Sequence, residues 1–156
     1  MNIFEALRKD HQIQRRLADE LIETHGESDT RDELFKELKT KLKAHAAAEE
    51  RHFYIPLMGD DLTQEKSRHS VAEHHEMDEM MTKLEDLDYS SPGWLIEAKK
   101  LQHKVHHHLD EEEHEVFQMA GKVLSDKQKQ QLAADYQLEM KQQMQKNWSV
   151  KKREDD

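Results

Sequence analysis

Hydrophobic residues recur three or four positions apart over five segments of the chain, which is the spacing of one face of an α-helix. These segments predict helices over about residues 2–26, 30–56, 63–87, 92–121 and 125–146. No stretch of useful length alternates hydrophobic and polar residues, so the pattern predicts no strands. The predicted fold is therefore all-α, an up-down-up-down four-helix bundle with a short fifth C-terminal helix.

Capping residues indicate where several of these helices begin. Asn2 and Glu5 have the spacing of a capping box, Thr30 opens the second helix with the same signal, and Pro92 suits a first helical position. Ser125 caps the shorter fifth segment. We expect one domain over residues 1–146, a length suited to a single core, and a charged, flexible tail over residues 147–156.

The hydrophobic faces of the first two helices carry residues that could bind metal. In the first, His11 lies one turn after Leu7 on the same face. In the second, Leu42 is followed along the face by His45 and then by Glu49. Residues i and i+4 are neighbours on a helix, about 5–6 Å apart, so His45 and Glu49 can face one site.

The third and fourth helices repeat the arrangement. His74 lies on the same face as Met77, and the fourth helix carries Val105, His108 and Glu112 along one face. Most of the other histidines of the chain point away from the core. We expect solvated side chains, which could at most bind metal loosely, at His25, His69, His75, His103, His106, His107 and His114.

One histidine and two glutamates lie close to the candidate ligands in the sequence but are not predicted to bind metal. His52 lies at the edge of its helix face, and its role stays open. Glu111 and Glu113 flank Glu112 in the sequence, but they are expected on a solvated face.

Two glutamates on hydrophobic faces need a positive partner, because a buried carboxylate is normally paired or bound to metal. No Lys or Arg lies on the faces beside Glu49 or Glu112, so a metal is the natural counter-charge. Imidazole and carboxylate ligands without thiolate suit Fe, Mn or Zn. Four histidines and two glutamates exceed the needs of one tetrahedral zinc and fit two ions, with room for a small ligand.

Composition excludes several other classes. The chain has 156 residues, no cysteine and a formal net charge of −10, so disulfides, cysteine-ligated clusters and a nucleic-acid partner are not expected. An anionic membrane surface is disfavoured for the same reason. No apolar run approaches the roughly 20 residues that span a bilayer. The first residues lack the apolar core of a signal peptide, so a cytoplasmic location is expected.

Four motifs together resemble the bacterial hemerythrin-like proteins of the HHE cation-binding type. They are the Asp10-His11 pair, "HAAAEERHFYIPL" from His45, "AEHHEMDEMMTKL" from Ala72 and "HLDEEEHEVF" from His108. The resemblance covers about residues 1–140 and implies a four-helix bundle with a non-heme di-iron site. The family's ligands fall on the six residues that the helix faces select: His11, His45, Glu49, His74, His108 and Glu112.

The resemblance also implies how the metal is held and what it does. Glu49 and Glu112 would bridge two Fe ions that also share an oxo or hydroxo group, with Zn or Mn as possible substitutes. The expected small-molecule partner is O₂, NO or a peroxide, and the alternatives are a di-iron enzyme, an iron-centre repair protein or an iron store. Asp78 stands where reversible O₂ carriers have a second histidine, which weakens a transport role. Whether Asp78 is a ligand, a partner of a ligand or neither stays open.

The fifth segment has a hydrophobic repeat of its own, and the sequence does not determine the oligomeric state. The repeat could pack on the bundle or form a surface for a partner or a second copy. Its members are Leu132, Tyr136, Met140 and Met144.

Overall fold

The computed structural model describes residues 1–146, and within that range every regular element is helical. Five helices follow one another along the chain. The all-helical prediction is confirmed, and the predicted tail over residues 147–156 lies outside the described residues. The helices are α1 (Ile3–Ile22), α2 (Asp29–Glu49, extended by Glu50–Tyr54 and Ile55–Met58), α3 (Gln64–Asp86), α4 (Pro92–Glu111, extended by Glu112–Val116 and Phe117–Val123) and α5 (Asp126–Met144).

The helix starts follow their capping residues. The Asn2 side chain accepts from the Glu5 amide at 2.9 Å, and the Glu5 carboxylate accepts from the Asn2 amide at 3.1 Å. Ser125 caps α5 in the same reciprocal way. The second helix begins earlier than predicted, because Ser28 rather than Thr30 caps it.

Two π-helical turns interrupt the long helices α2 and α4. In α2 the amide of Ile55 donates to the carbonyl of Glu50, five residues back, and in α4 Phe117 donates to Glu112 in the same way. Each turn therefore falls at or directly after one of the predicted glutamate ligands. Single π-turns inside α-helices are rare and frequently mark functional sites.

Packing of the helices produces two hydrophobic clusters. The first surrounds Trp94 and Phe35, and the second surrounds Phe53 and Phe117. Helix α1 packs against α2, α4 and α5, and α3 packs against α4. The free energy of folding comes chiefly from these clusters, since burial of each large apolar side chain contributes about 1.5–3 kcal/mol.

The predicted ligands lie between the two clusters. Along α2, Leu42 belongs to the first cluster and Phe53 to the second, and His45 and Glu49 lie between them. Helix α4 repeats this order from Val105 through His108 and Glu112 to Val116, and α1 from Leu17 through His11 to Leu7. The hydrophobic clusters thus hold a polar layer between them.

Helix α5 covers this layer from one side by packing against α1 and α2. Tyr136 and Met140 are buried, whereas the side chain of Met144 is 38% exposed. Most of the hydrophobic repeat of α5 therefore packs within the chain. No helix among residues 1–146 is both long and apolar enough to cross a membrane.

Candidate metal centre

Six buried side chains from α1, α2, α3 and α4 meet in the polar layer. The least buried of them, His74, is only 7% exposed. All six are the residues predicted from the helix faces. They are His11, His45, Glu49, His74, His108 and Glu112.

Glu49 lies among three imidazoles. Its Oε1 is 3.1 Å from Nε2 of His74 and 3.3 Å from Nε2 of His45, and its Oε2 is 3.9 Å from Nε2 of His11. One carboxylate therefore faces three nitrogen donors that come from three helices.

Glu112 occupies the matching place on α4. Its Oε1 is 3.3 Å from Nε2 of His11, and its Oε2 is 3.5 Å from Nε2 of His108. The hydroxyl of Tyr54 donates to the same Oε2. His11 thus lies between the two carboxylates.

The donor atoms fall into two overlapping groups, each compact enough for one ion. Glu49, His74, His108 and Glu112 form one group, and His11, His45 and Glu49 form the other. Within each group the ligand atoms all lie within 4.8 Å of one another. Glu49 belongs to both groups.

Seven of the inward-facing polar atoms have no hydrogen-bond partner among residues 1–146, because the contacts just described lack hydrogen-bond geometry. A buried polar atom without a partner costs about 1–3 kcal/mol, so several together require a further group. These atoms all belong to residues of the two groups just described, and imidazole nitrogens with carboxylate oxygens suit a cation in each group. The atoms are Nε2 of His11, His45, His74 and His108, both carboxylate oxygens of Glu49, and Oε1 of Glu112.

The outward nitrogens of three histidines are held by carboxylates. Nδ1 of His11 lies 2.7 Å from Glu113, that of His74 lies 2.8 Å from Glu50, and that of His108 lies 2.9 Å from Oε1 of Glu73. An Nδ1–H that donates to a carboxylate fixes the tautomer and leaves the Nε2 lone pair free for a metal.

The fourth histidine has a tyrosine as its partner. Nδ1 of His45 lies 2.6 Å from the hydroxyl of Tyr136, and this hydroxyl donates to Oδ2 of Asp10 at 2.5 Å. Because the Tyr136 hydroxyl donates its proton to Asp10, the hydroxyl oxygen accepts a hydrogen bond from Nδ1–H of His45. This chain of hydrogen bonds presents Nε2 of His45 to the centre.

Burial favours the neutral form of two imidazoles, which is the form that binds metal. It lowers the pKa of His108 to about 4, against the opposing effect of Glu73, and it also lowers the pKa of His45. Both rings are neutral at neutral pH, as a metal ligand must be. Burial and the neighbouring Glu49 raise the pKa of Glu112, so a cation is needed for both carboxylates to be fully ionised together.

The expectation that Glu113 is solvated is wrong. Its side chain is only 15% exposed, and it binds both His11 and Arg15. Four further residues at the centre were not predicted from the sequence: Glu50, Glu73, Tyr54 and Tyr136. A signal was present for Glu50 and Glu113, since each directly follows a predicted ligand glutamate.

Two positions that the sequence left open now have partners. Asp78, on α3, forms an ion pair with Lys43. His52 is half-buried and lies 3.3 Å from Glu139. Neither residue belongs to the two ligand groups at the centre.

The remaining histidines lie at the surface, as predicted. His106 is half-buried against Asp19, at 2.7 Å, and the others are exposed. One of them, His69, forms a separate surface group with Glu73 and Glu111. The exposed residues are His25, His69, His75, His103, His107 and His114.

The chain is similar to cation-binding proteins in sequence and to one of them in fold. The family model of the hemerythrin HHE cation binding domain matches residues 2–120. A crystal structure of a hemerythrin HHE cation binding domain-containing protein from Mycobacterium kansasii superposes with a TM-score of 0.83 at 24% sequence identity, covering 92% of this chain and 88% of that one. No curated protein sequence matches the chain. The chain belongs to the hemerythrin HHE cation-binding family.

Proposed function

We propose that the chain is a non-heme di-iron protein whose centre binds a small molecule such as O₂ or NO. The observation that carries the proposal is the set of seven buried donor atoms without hydrogen-bond partners among residues 1–146. They belong to two overlapping groups, and two ions use them all. Glu49 and Glu112 would bridge these ions, since each carboxylate lies between histidines of different helices.

Iron is the metal we propose, with zinc or manganese as substitutes. Nitrogen and carboxylate oxygen donors without sulfur accommodate all three. Two ions of roughly six-coordinate geometry need about twelve positions. The four histidines, two bridging glutamates and one bridging oxo or hydroxo group supply about ten. The positions left over are available to a small ligand. We also propose that the four long helices run up and down around this centre.

Bound iron would supply redox chemistry and open coordination positions to the site. The chain's own residues supply its orientation and its electrostatics. Glu113, Glu50 and Glu73 hold three of the imidazoles in place, and Tyr136 holds the fourth. The two hydrophobic clusters cover the polar layer on either side along the helices.

A second candidate is an enzyme that turns over peroxide. It is favoured by Tyr54, whose buried hydroxyl donates to the ligand carboxylate of Glu112. A phenol in this place can supply a proton to a group at the centre. Iron storage is a weaker candidate, because the buried donor groups among residues 1–146 number two. Iron-centre repair stays an alternative.

Gas titration of the iron-loaded protein tests the proposal. A binder of O₂ or NO changes its visible absorption on exposure to the gas and recovers when the gas is removed. Catalytic consumption of many equivalents of peroxide, with no reversible gas response, would transfer the assignment to the enzyme. Uptake of many more irons than two per chain would favour storage.

A further inference from the structure

A cavity opens from the protein surface to one side of the candidate metal centre. Its volume is about 560 Å³, whereas a water molecule takes about 30 Å³ in the liquid, so it admits a ligand of several atoms. Three of the four inward histidines line it: His45, His74 and His108. The cavity therefore connects solvent with the ions that these residues would hold.

One polar side chain of the cavity wall has an unused donor. Gln14 lies on α1, one turn after His11, and is only 1% exposed. Its amide nitrogen Nε2 is buried and has no hydrogen-bond partner among the described residues. A buried amide N–H without an acceptor destabilises the fold, so its presence beside the centre calls for an acceptor that arrives from outside.

The outer part of the cavity carries balanced charge. Lys43 and Arg68 offset Asp78 and Glu50 among the lining residues, and Asp78 is paired with Lys43. The cavity therefore does not repel a small anion, although the whole chain has a net charge of −10.

Apolar residues form much of the remaining wall. Leu42, Met77 and Met81 line the cavity and are buried in the first hydrophobic cluster. An acceptor atom inside this wall meets few competing donors. The N–H of Gln14 is therefore positioned to select ligands by hydrogen bonding.

We propose that this cavity is the ligand site of the centre and that Gln14 donates a hydrogen bond to the ligand within it. The ligand class is a small, linear or bent molecule or monoanion with an acceptor atom, of the size of azide or hydroperoxide. The inference rests on the proposed di-iron function, and it adds the direction of ligand entry and a residue that determines specificity.

Azide titration of iron-loaded protein, followed by visible absorption, tests the role of Gln14. Gln14→Leu removes the donor while keeping a similar volume. The matched control is Gln12→Leu, because Gln12 lies on the same helix but is exposed. We expect the Kd for azide to rise roughly tenfold in Gln14→Leu and to stay unchanged in Gln12→Leu, since a hydrogen bond to an anion is lost only in the first.

A stability measurement separates ligand recognition from folding. Without metal, Gln14→Leu should be at least as stable as the wild type in chemical denaturation, because the variant loses an unsatisfied amide. It should also retain the iron content of the wild type. Loss of iron or of stability would assign Gln14 a structural role and overturn the inference.

The outcomes also distinguish this inference from the function on which it rests. Wild-type protein that holds iron and responds to azide, with an equal Kd in Gln14→Leu, would overturn the role of Gln14 alone. Wild-type protein that takes up no iron would overturn the di-iron function and the ligand site together.

Discussion

The hydroxyl of Tyr136 should be required for tight metal binding although it is not a ligand. Tyr136→Phe removes the acceptor for Nδ1 of His45, at 2.6 Å, and the donor to Asp10, at 2.5 Å. His45 is 2% exposed, so water cannot replace the lost partner readily, whereas the half-buried Asp10 can reach solvent. The change therefore acts chiefly on the orientation and tautomer of His45.

The magnitude follows from these contacts. One buried donor left without its acceptor costs about 1–3 kcal/mol of the free energy of unfolding. Loss of a hydrogen-bond partner behind a metal ligand typically costs 10–100-fold in metal affinity, which corresponds to about 1.4–2.8 kcal/mol. We expect both effects in Tyr136→Phe.

The chain offers a matched control in Tyr89→Phe. Tyr89 is buried to the same degree, and its hydroxyl donates to the carboxylate of Asp32 at 2.7 Å, but it lies in the first hydrophobic cluster away from the centre. Denaturation of the metal-free proteins should show a similar loss of stability in both variants. Competition with a chelator should show weaker metal binding in Tyr136→Phe only. Equal metal affinities in the two variants would refute the role assigned to the hydroxyl of Tyr136.

The ligand assignment makes further predictions. Glu112→Ala should lose one or both metal ions on metal analysis, whereas Glu111→Ala, which changes a side chain outside the two ligand groups, should keep them. His108→Ala should lower the metal content in the same way. Its control, His107→Ala, should not, because His107 is exposed. Equal losses within either pair would contradict the assignment. Acidification should release metal, because protons compete with it for the imidazoles. Since burial lowers the pKa of His108 to about 4, the release should be complete once the pH falls through that value. Full occupancy retained well below pH 4 in a dialysis series would indicate other ligands.

Helical periodicity was sufficient to select the six candidate ligands. Each of them lies on the hydrophobic face of its helix, so the same period that predicts burial also identifies them. The helix starts at Asn2, Pro92 and Ser125 could likewise be predicted, because capping is a local interaction between residues close in sequence.

The residues behind the ligands could not be selected in this way. Glu50 and Glu113 each follow a ligand glutamate and lie about 100° around the helix from it, where periodicity predicts solvent. They reach the histidines of other helices, and those contacts depend on tertiary packing. Tyr136 belongs to α5, whose hydrophobic repeat explains burial but not a bond to His45.

The two π-turns were also missed. A π-turn such as the one in which Ile55 donates to Glu50 has no distinct composition, so the spacing of hydrophobic residues does not indicate it. Both turns occur where the two glutamates must face the histidines of neighbouring helices.

Metal analysis combined with a visible and near-ultraviolet spectrum tests the central claim most directly. The protein should be purified without added metal so that the cell determines what fills the site. About two irons per chain, with near-ultraviolet bands of an oxo-bridged iron pair, are the predicted result. A single zinc per chain and a featureless spectrum would contradict the di-iron centre.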